Sequence, residues 1–274
     1  MTGTSVHTAR RAAFHALHDA GRSGRPLLLP NAWDHASAAA LAARGHPAIG
    51  TTSLGVAAAA GRPDGVAATS VETLALARRV ARLPVLLTVD VEAGFGDDPA
   101  TVAGYVSELA GLGVVGINLE DGRPDGTLAD PDGTADTIAA VKAAVPDLFV
   151  NARTDTWWLG VADPLPQGLA RARIYRSAGA DGIFVPGVVD EVTLRVLTGR
   201  IDAPVNALYQ PGGPSVAELG SAGVARVSTG SLLFRAALAA ALDTADVVRS
   251  DGVVDPAGLP SYAEVQGLAT AAGA

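Results

Sequence analysis

Short apolar runs alternate with longer stretches in which apolar positions recur at helical spacing, and this alternation persists along the whole chain. The runs cover residues 26–30, 48–52, 84–90, 114–119, 148–152, 182–185, 204–207 and 224–227. After Pro84 the run at 84–90 is continuous in β-branched residues and leucine until it ends on Asp90, as expected for a strand buried on both faces. Between the runs, Asp34 is placed to cap a helix reaching Ala42, and Ser70 to cap another, with Thr73 at the box position. A loop carrying Gly55, Gly61, Pro63 and Gly65 is expected before that second helix. Pro99 opens a helix over 99–112, a further helix runs from about 134 to 144, and Pro164 opens one that stops near Gly179.

The count is eight strand–helix units, preceded by a helix over about 6–20. Strands that alternate with helices make a parallel sheet, and eight such units close it into a (β/α)8 TIM barrel. An open doubly wound sheet is the architectural alternative. A length of 274 residues suits one such domain over 1–274. The segment 242–274 reads as a helical tail in which 245–249 extends or breaks the last barrel helix and 261–272 forms another helix, over the barrel or on a neighbouring subunit.

Composition narrows the function. A net charge of −8 without a basic stripe excludes a nucleic-acid backbone as partner. The absence of cysteine excludes disulfides, thiolate metal sites and a catalytic thiol. No membrane span or leader pattern is present in the polar first 22 residues, so cytoplasmic residence is the expectation. The histidines His7, His15, His18, His35 and His46 lack metal-ligand spacing.

In a barrel of this kind the chemistry sits at the C-terminal ends of the strands. Those ends carry Thr52 and Ser53, then Asp90 and Glu92, Glu120 and Asp121, then Asn151, Arg153 and Asp155, and finally Asn206, Ser228 and Thr229. Gathering several carboxylates is costly unless a cation compensates. Asp90, Glu92 and Glu120 offer hard oxygen ligands suited to magnesium, and the Arg153 fork suits a carboxylate or phosphonate. The structural alternatives are turn capping by Asp90 and Glu92 and an ion pair from Arg153 to Glu120 or Asp155. For Thr52 and Ser53 the alternatives are a helix cap and a seat for a substrate carboxylate. Trp157 and Trp158 would wall the pocket or pack elsewhere.

Five segments carry a resemblance: Thr51-Thr52-Ser53-Leu54-Gly55-Val56-Ala57, Gly61-Arg62-Pro63-Asp64, Asp90-Val91-Glu92-Ala93-Gly94-Phe95-Gly96, Gly116-Ile117-Asn118-Leu119-Glu120-Asp121 and Asn151-Ala152-Arg153-Thr154-Asp155. In this order, over nearly the whole chain, it resembles the isocitrate lyase/phosphoenolpyruvate mutase superfamily. The resemblance implies a barrel whose last helix is swapped between subunits of a dimer or tetramer. It implies Mg2+, with Mn2+ as a substitute, near Asp90, Glu92 and Glu120. It implies a small 2-oxo acid whose carboxylate lies against Thr52, Ser53 and Leu54, with Asp90 and Asn206 also in contact. Arg153 would hold the reacting end, Asp64 would lie in a mobile loop over the site, and Arg153, Asp64 and Glu120 would be the catalytic residues.

The departures refine that expectation. The superfamily's true lyases carry a Lys-Lys-Cys-Gly-His loop after the fourth strand, and the mutases a Lys-Thr-Asn-rich gating loop. Here the stretch is Gly122-Arg123-Pro124-Asp125-Gly126-Thr127-Leu128. Glu92 stands where aspartate is more common, and the sixth strand runs into Pro186. The expected activity is therefore a Mg-dependent lyase or decarboxylase that forms an enolate from an oxaloacetate-like 2-oxo acid. A phosphonomutase or phosphonopyruvate-type enzyme and a non-catalytic 2-oxo acid binder are the alternatives.

Overall fold

A computed structural model describes residues 3–96 and 98–270. It contains α1 (Gly3–Gly21), β1 (Leu27–Leu29), β2 (Asn31–Ala32), α2 (His35–Ala43), β3 (Ala48–Thr51), α3 (Ser53–Ala59), α4 (Ser70–Val80), β4 (Leu86–Asp90) and α5 (Pro99–Gly111). There follow β5 (Gly116–Glu120), α6 (Pro131–Ala144), β6 (Phe149–Arg153), α7 (Pro164–Ser177), β7 (Gly182–Phe184), α8 (Glu191–Arg200), β8 (Val205–Leu208), α9 (Val216–Ser221), β9 (Arg226–Ser228), α10 (Leu232–Arg249) and α11 (Tyr262–Thr270).

All pairings are parallel, and the strand order runs β1-β9-β8-β7-β6-β5-β4-β3-β2. The two ends of that order, β1 and β2, are one strand interrupted at Pro30. Proline has no N–H to give a ladder, so the strand changes partner there, from β9 to β3. The sheet thus closes into the eight-stranded (β/α)8 barrel that the alternation predicts. Asn31 fastens the seam. Its Oδ1 accepts from the Thr229 and Gly230 N–H groups, both at 3.0 Å, and its Nδ2 donates to the Thr51 carbonyl at 2.8 Å.

The main apolar core lies between the strands and the surrounding helices, in residues such as Leu87, Val106, Ile117, Ile138, Val150 and Leu197. A second cluster closes the N-terminal end of the barrel, where Phe14 of α1 packs with Leu29, Ala48, Val115 and Phe149. His18 joins this plug by stacking on Phe149 at 3.9 Å between ring centroids.

Three local readings change. The segment holding Gly55 is helix α3, not loop. A side chain at Gly55 would meet Trp33 Cβ at 2.7 Å and Thr52 Cγ2 at 2.8 Å, so this glycine serves close packing. Ser70 is the first residue of α4 and does not cap it; the cap position belongs to Thr69, whose hydroxyl donates instead to Glu92 at 3.0 Å. Helix α6 begins at Pro131, capped by Asp130, three residues before the sequence expectation. At the C-terminus α10 runs unbroken through Arg249 with none of its residues buried, while α11 lies on α2, with His35 Nε2 at 3.2 Å from the Leu268 carbonyl. The expected helix over 261–272 extends beyond the described residues at its last two positions.

Candidate active site

A cavity of about 360 Å³ opens at the C-terminal ends of the strands. Thr52, Ser53, Leu54, Asp64, Asp90, Glu120 and Arg153, all expected from the sequence, line it together. Asn118, Asp155, Trp158 and Ser228 complete the floor and walls.

Each acid is positioned by its strand. Asp90 ends β4, where its backbone N–H donates to Thr51 Oγ1 at 2.9 Å. Glu120 ends β5 and faces Arg153 across the ladder, in the register that pairs the two residues. The Arg153 Nη1 to Glu120 Oε2 distance is 2.6 Å, and Arg153 Nε donates to Asp155 Oδ1 at 2.7 Å. The guanidinium also lies 5.8 Å from the ring centroids of both Trp158 and Phe184. Both ion pairs foreseen as structural alternatives for Arg153 are therefore present, and they leave its Nη2 without a partner among the described residues. Asp155 is held from behind: its N–H donates to Asp121 Oδ1 at 2.8 Å, and Asp121 in turn accepts from Tyr175 and Arg171. Gly122 must lack a side chain, because a Cβ there would come within 2.4 Å of Asp155 Oδ2.

The electrostatics are those of an acid excess around one arginine. Burial, reinforced by Asp90, Asp155 and Glu92 and opposed by Arg153, pushes the Glu120 carboxyl up to about 8. Burial also raises Asp155, and it raises Asp64 at the cavity mouth, where Ser53 opposes the shift by hydrogen bonding. Burial alone would lower Arg153, yet Glu120, Asp155 and Asp90 outweigh it and raise the guanidinium further.

Two residues expected at the ligand stand elsewhere. Glu92 does not line the cavity: its carboxylate accepts from the Ala67 N–H at 2.8 Å and from Thr69 Oγ1 at 3.0 Å. Both Glu92 (φ 50°) and Ala67 (φ 56°) adopt the left-handed backbone that non-glycine residues avoid, so this contact holds the 61–69 loop in a strained conformation beside the site. Asn206 lies one layer below the floor, with its amide bonded to Ser228 Oγ at 3.0 Å. Sequence reasoning passed over Asn118, which lines the floor, and Arg226, which the register sets level with Asn206 beneath it; Arg226 sits inside an apolar strand, and its type was the available signal.

Among the described residues no three acid, histidine or cysteine side chains converge into a ready-made metal cage. The donor chemistry nonetheless fits magnesium, which binds through one or two carboxylates and fills its shell with water and substrate oxygens. Asp90 faces the cavity with no ion pair among the described residues, beside acids whose ionisation is held back by burial and by one another's charge.

Comparison with known proteins agrees with this geometry. The phosphoenolpyruvate phosphomutase family model matches residues 14–249. The chain belongs to that family, within the isocitrate lyase/phosphoenolpyruvate mutase superfamily. It is 46% identical over 254 residues to an uncharacterized protein of Mycobacterium tuberculosis, covering 93% of this chain and 95% of the other. It is 34% identical over 185 residues to the oxaloacetate decarboxylase of Ectopseudomonas mendocina, covering 63% and 61%. Among solved structures, a candidate lyase/mutase of Burkholderia cenocepacia superposes with a TM-score of 0.85 at 33% identity over 96% of each chain. This member is an enzyme of the superfamily that works without a cysteine, since it has none. No described helix is long and apolar enough to cross a membrane.

Proposed function

We propose that the chain is a magnesium-dependent carbon–carbon lyase that decarboxylates a small 2-oxo acid of oxaloacetate type. The observation that carries this reading is the cavity itself: Asp90, Glu120 and Asp155 surround the single fork of Arg153. The similarity to an oxaloacetate decarboxylase supports the substrate class. Asp90 would hold the metal, with Glu120 beside it and Glu92 acting from behind through the 67–69 segment. Magnesium would supply the positive charge that stabilises an enolate.

The substrate's first carboxylate would lie against Thr52, Ser53 and Leu54, where the Thr52 hydroxyl makes no capping bond. The free Nη2 of Arg153 would take the distal carboxylate. On cleavage of the C3–C4 bond that carboxylate leaves as carbon dioxide. The electron pair remains on C3 and delocalises to the 2-oxo oxygen. Glu120, whose carboxyl is raised by burial, would then deliver a proton to C3 and be reset from water. Asp64 and the 122–128 turn form the rim. That turn is closed by an Arg123 N–H bond to the Thr127 carbonyl at 2.9 Å and lines the cavity through Arg123, Pro124 and Gly126.

A second reading, cleavage or rearrangement of a C–P bond, is favoured by Arg123, an exposed cation at the cavity mouth that could meet a phosphonate dianion. Assays of oxaloacetate and phosphonopyruvate with and without magnesium distinguish the two. The lyase reading expects magnesium-dependent pyruvate and carbon dioxide from oxaloacetate, lost by on the order of 100-fold in Asp90→Ala. Turnover confined to the phosphonate, or an unimpaired Asp90→Ala enzyme, would sink it.

The apolar exposure of α10 extends the proposal to assembly. Leu238 and Leu242, one turn apart, are more than half exposed. A second copy of the chain, exchanging α10 as the superfamily resemblance implies, would cover them.

A further inference from the structure

The barrel floor beneath the cavity holds a cation that the proposed mechanism does not use. Arg226, on β9, is fully buried. No carboxylate lies within ion-pair distance of it among the described residues, and its Nη1 has no hydrogen-bond partner. Burial pushes its pKa down to about 9, with Asp90 opposing, so it is charged at neutral pH. An unpaired buried charge is among the costliest things a core can contain, and such groups concentrate where function requires them.

Its two remaining bonds reach residues that line the cavity. Nε donates to Ser228 Oγ at 3.1 Å, and Nη2 donates to Asn118 Oδ1 at 3.1 Å. The same Asn118 oxygen accepts from Asn151 Nδ2 at 2.9 Å. A guanidinium can only donate, so the atom of Asn118 that faces it must be the oxygen, and the orientation of the amide is settled by chemistry. Asn118 lines the cavity, and its Nδ2 is left without a hydrogen-bond partner among the described residues. Ser228 has no such spare donor: its Oγ accepts from Arg226, and its own proton can go to Asn206 Oδ1 at 3.1 Å.

We infer that Asn118 is a substrate-binding donor, presenting its amide N–H groups to an oxygen of the bound 2-oxo acid, and that Arg226 is a positioning residue that holds the amide in that orientation from inside the barrel. The inference rests on the reading of the cavity as a 2-oxo acid site. A misoriented amide would present its oxygen to an anion already surrounded by carboxylates. The Arg226 charge also favours an anion on the floor in a chain whose other site groups are mainly acidic.

The test is calorimetric titration of oxalate, a planar dicarboxylate probe, into the full-length protein with magnesium. Wild type, Asn118→Leu, Arg226→Met and Arg226→Lys are compared, with melting temperatures for each and kcat and KM on oxaloacetate. Asn118→Leu is expected to weaken oxalate about tenfold or more in a protein that still folds but melts lower, because Arg226 Nη2 and Asn151 Nδ2 lose their acceptor. Arg226→Met is expected to weaken it similarly and to raise KM more than it lowers kcat, with partial recovery in Arg226→Lys. Should Arg226→Met fail to fold, Asn118→Leu and Arg226→Lys still decide. Wild-type affinity for oxalate in Asn118→Leu would overturn the assignment of Asn118. Unchanged affinity in a folded Arg226→Met would overturn the positioning role. Oxalate binding that depends on Asn118 and Arg226, without turnover of any 2-oxo acid, would support this inference and sink the lyase reading. Failure of wild type to bind oxalate or phosphonoacetate would sink both.

Discussion

At the scale of single residues, proton storage and steric clearance set the chemistry. Glu120 has an ordinary carboxyl group on an extraordinary footing: burial and the neighbouring acids raise its pKa against the pull of Arg153. If it is the proton donor, kcat on oxaloacetate falls as rising pH strips the proton from Glu120, and Glu120→Gln abolishes turnover while retaining oxalate binding; a Glu120→Gln enzyme with normal kcat would remove Glu120 from the mechanism. Gly122 makes a different demand. Its missing Cβ is the space that Asp155 occupies, so Gly122→Ala should displace the Asp155–Arg153 pair. Activity should drop on the order of 100-fold, as for a small misplacement of a positioning group, with the fold preserved by circular dichroism. The residue types at Asp90, Glu120 and Arg153 were legible because charged side chains at the ends of apolar strands stand out. Gly122 was not, because a glycine beside an acid reads as a turn until the neighbour that needs its space is known.

At the scale of elements, the seam and the plug decide stability. Asn31 joins the start and end of the barrel through bonds that span about 200 positions of sequence. Asn31→Ala leaves the Gly230 N–H unpaired and the Thr229 N–H with only its 3.4 Å bond to the Leu29 carbonyl, and should cost about 3 kcal/mol, read in urea unfolding. A loss below about 1 kcal/mol would mean that the strand register alone closes the barrel. The α1 plug carries a pH dependence. His18 Nδ1 is 2.8 Å from the Phe14 carbonyl, so it carries the proton, and the buried Nε2 finds no donor. Burial, assisted by Arg226, pushes His18 down to about 3. The unfolded chain takes up its proton near 6.5, the folded chain only near 3. Stability from this group is therefore complete above about pH 6.5 and erodes as pH falls toward 3, by up to about 1.4 kcal/mol per pH unit. His18→Phe should flatten that slope in unfolding curves taken at pH 7 and 4.5, and an unaltered slope would show that other groups govern it. Helix α3 and the start of α4 escaped the sequence reading for one reason: Gly55 and Thr69 are committed to distant partners, Trp33 and Glu92, that local rules do not see.

At the scale of the whole molecule, α10 is the element the fold leaves unfinished. A helix of 18 residues with no fully buried side chain gains little from packing within its own chain, where its contact is confined to the first turn at Phe234 and Trp33. The exchange of α10 between copies predicts a dimer or tetramer in sedimentation at micromolar concentration, and dissociation in a Leu238→Glu/Leu242→Glu variant. A monomeric wild type would refute the exchange. By contrast, α11 already packs on α2 of its own chain and should stay ordered in that variant.

Sequence alone determined the strand–helix alternation, the closure into a barrel and the family, because strands buried on both faces and acids at their ends leave patterns along the chain itself. It also excluded a cysteine mechanism outright. Tertiary structure decided which of the site's residues meet the cavity. Glu92 and Asn206 turn to the 67–69 segment and to Ser228, while Asn118 forms the floor with the buried Arg226 beneath it. Those choices depend on register across β5, β6, β8 and β9, where residues more than 100 positions apart become neighbours through hydrogen bonds that no local pattern encodes.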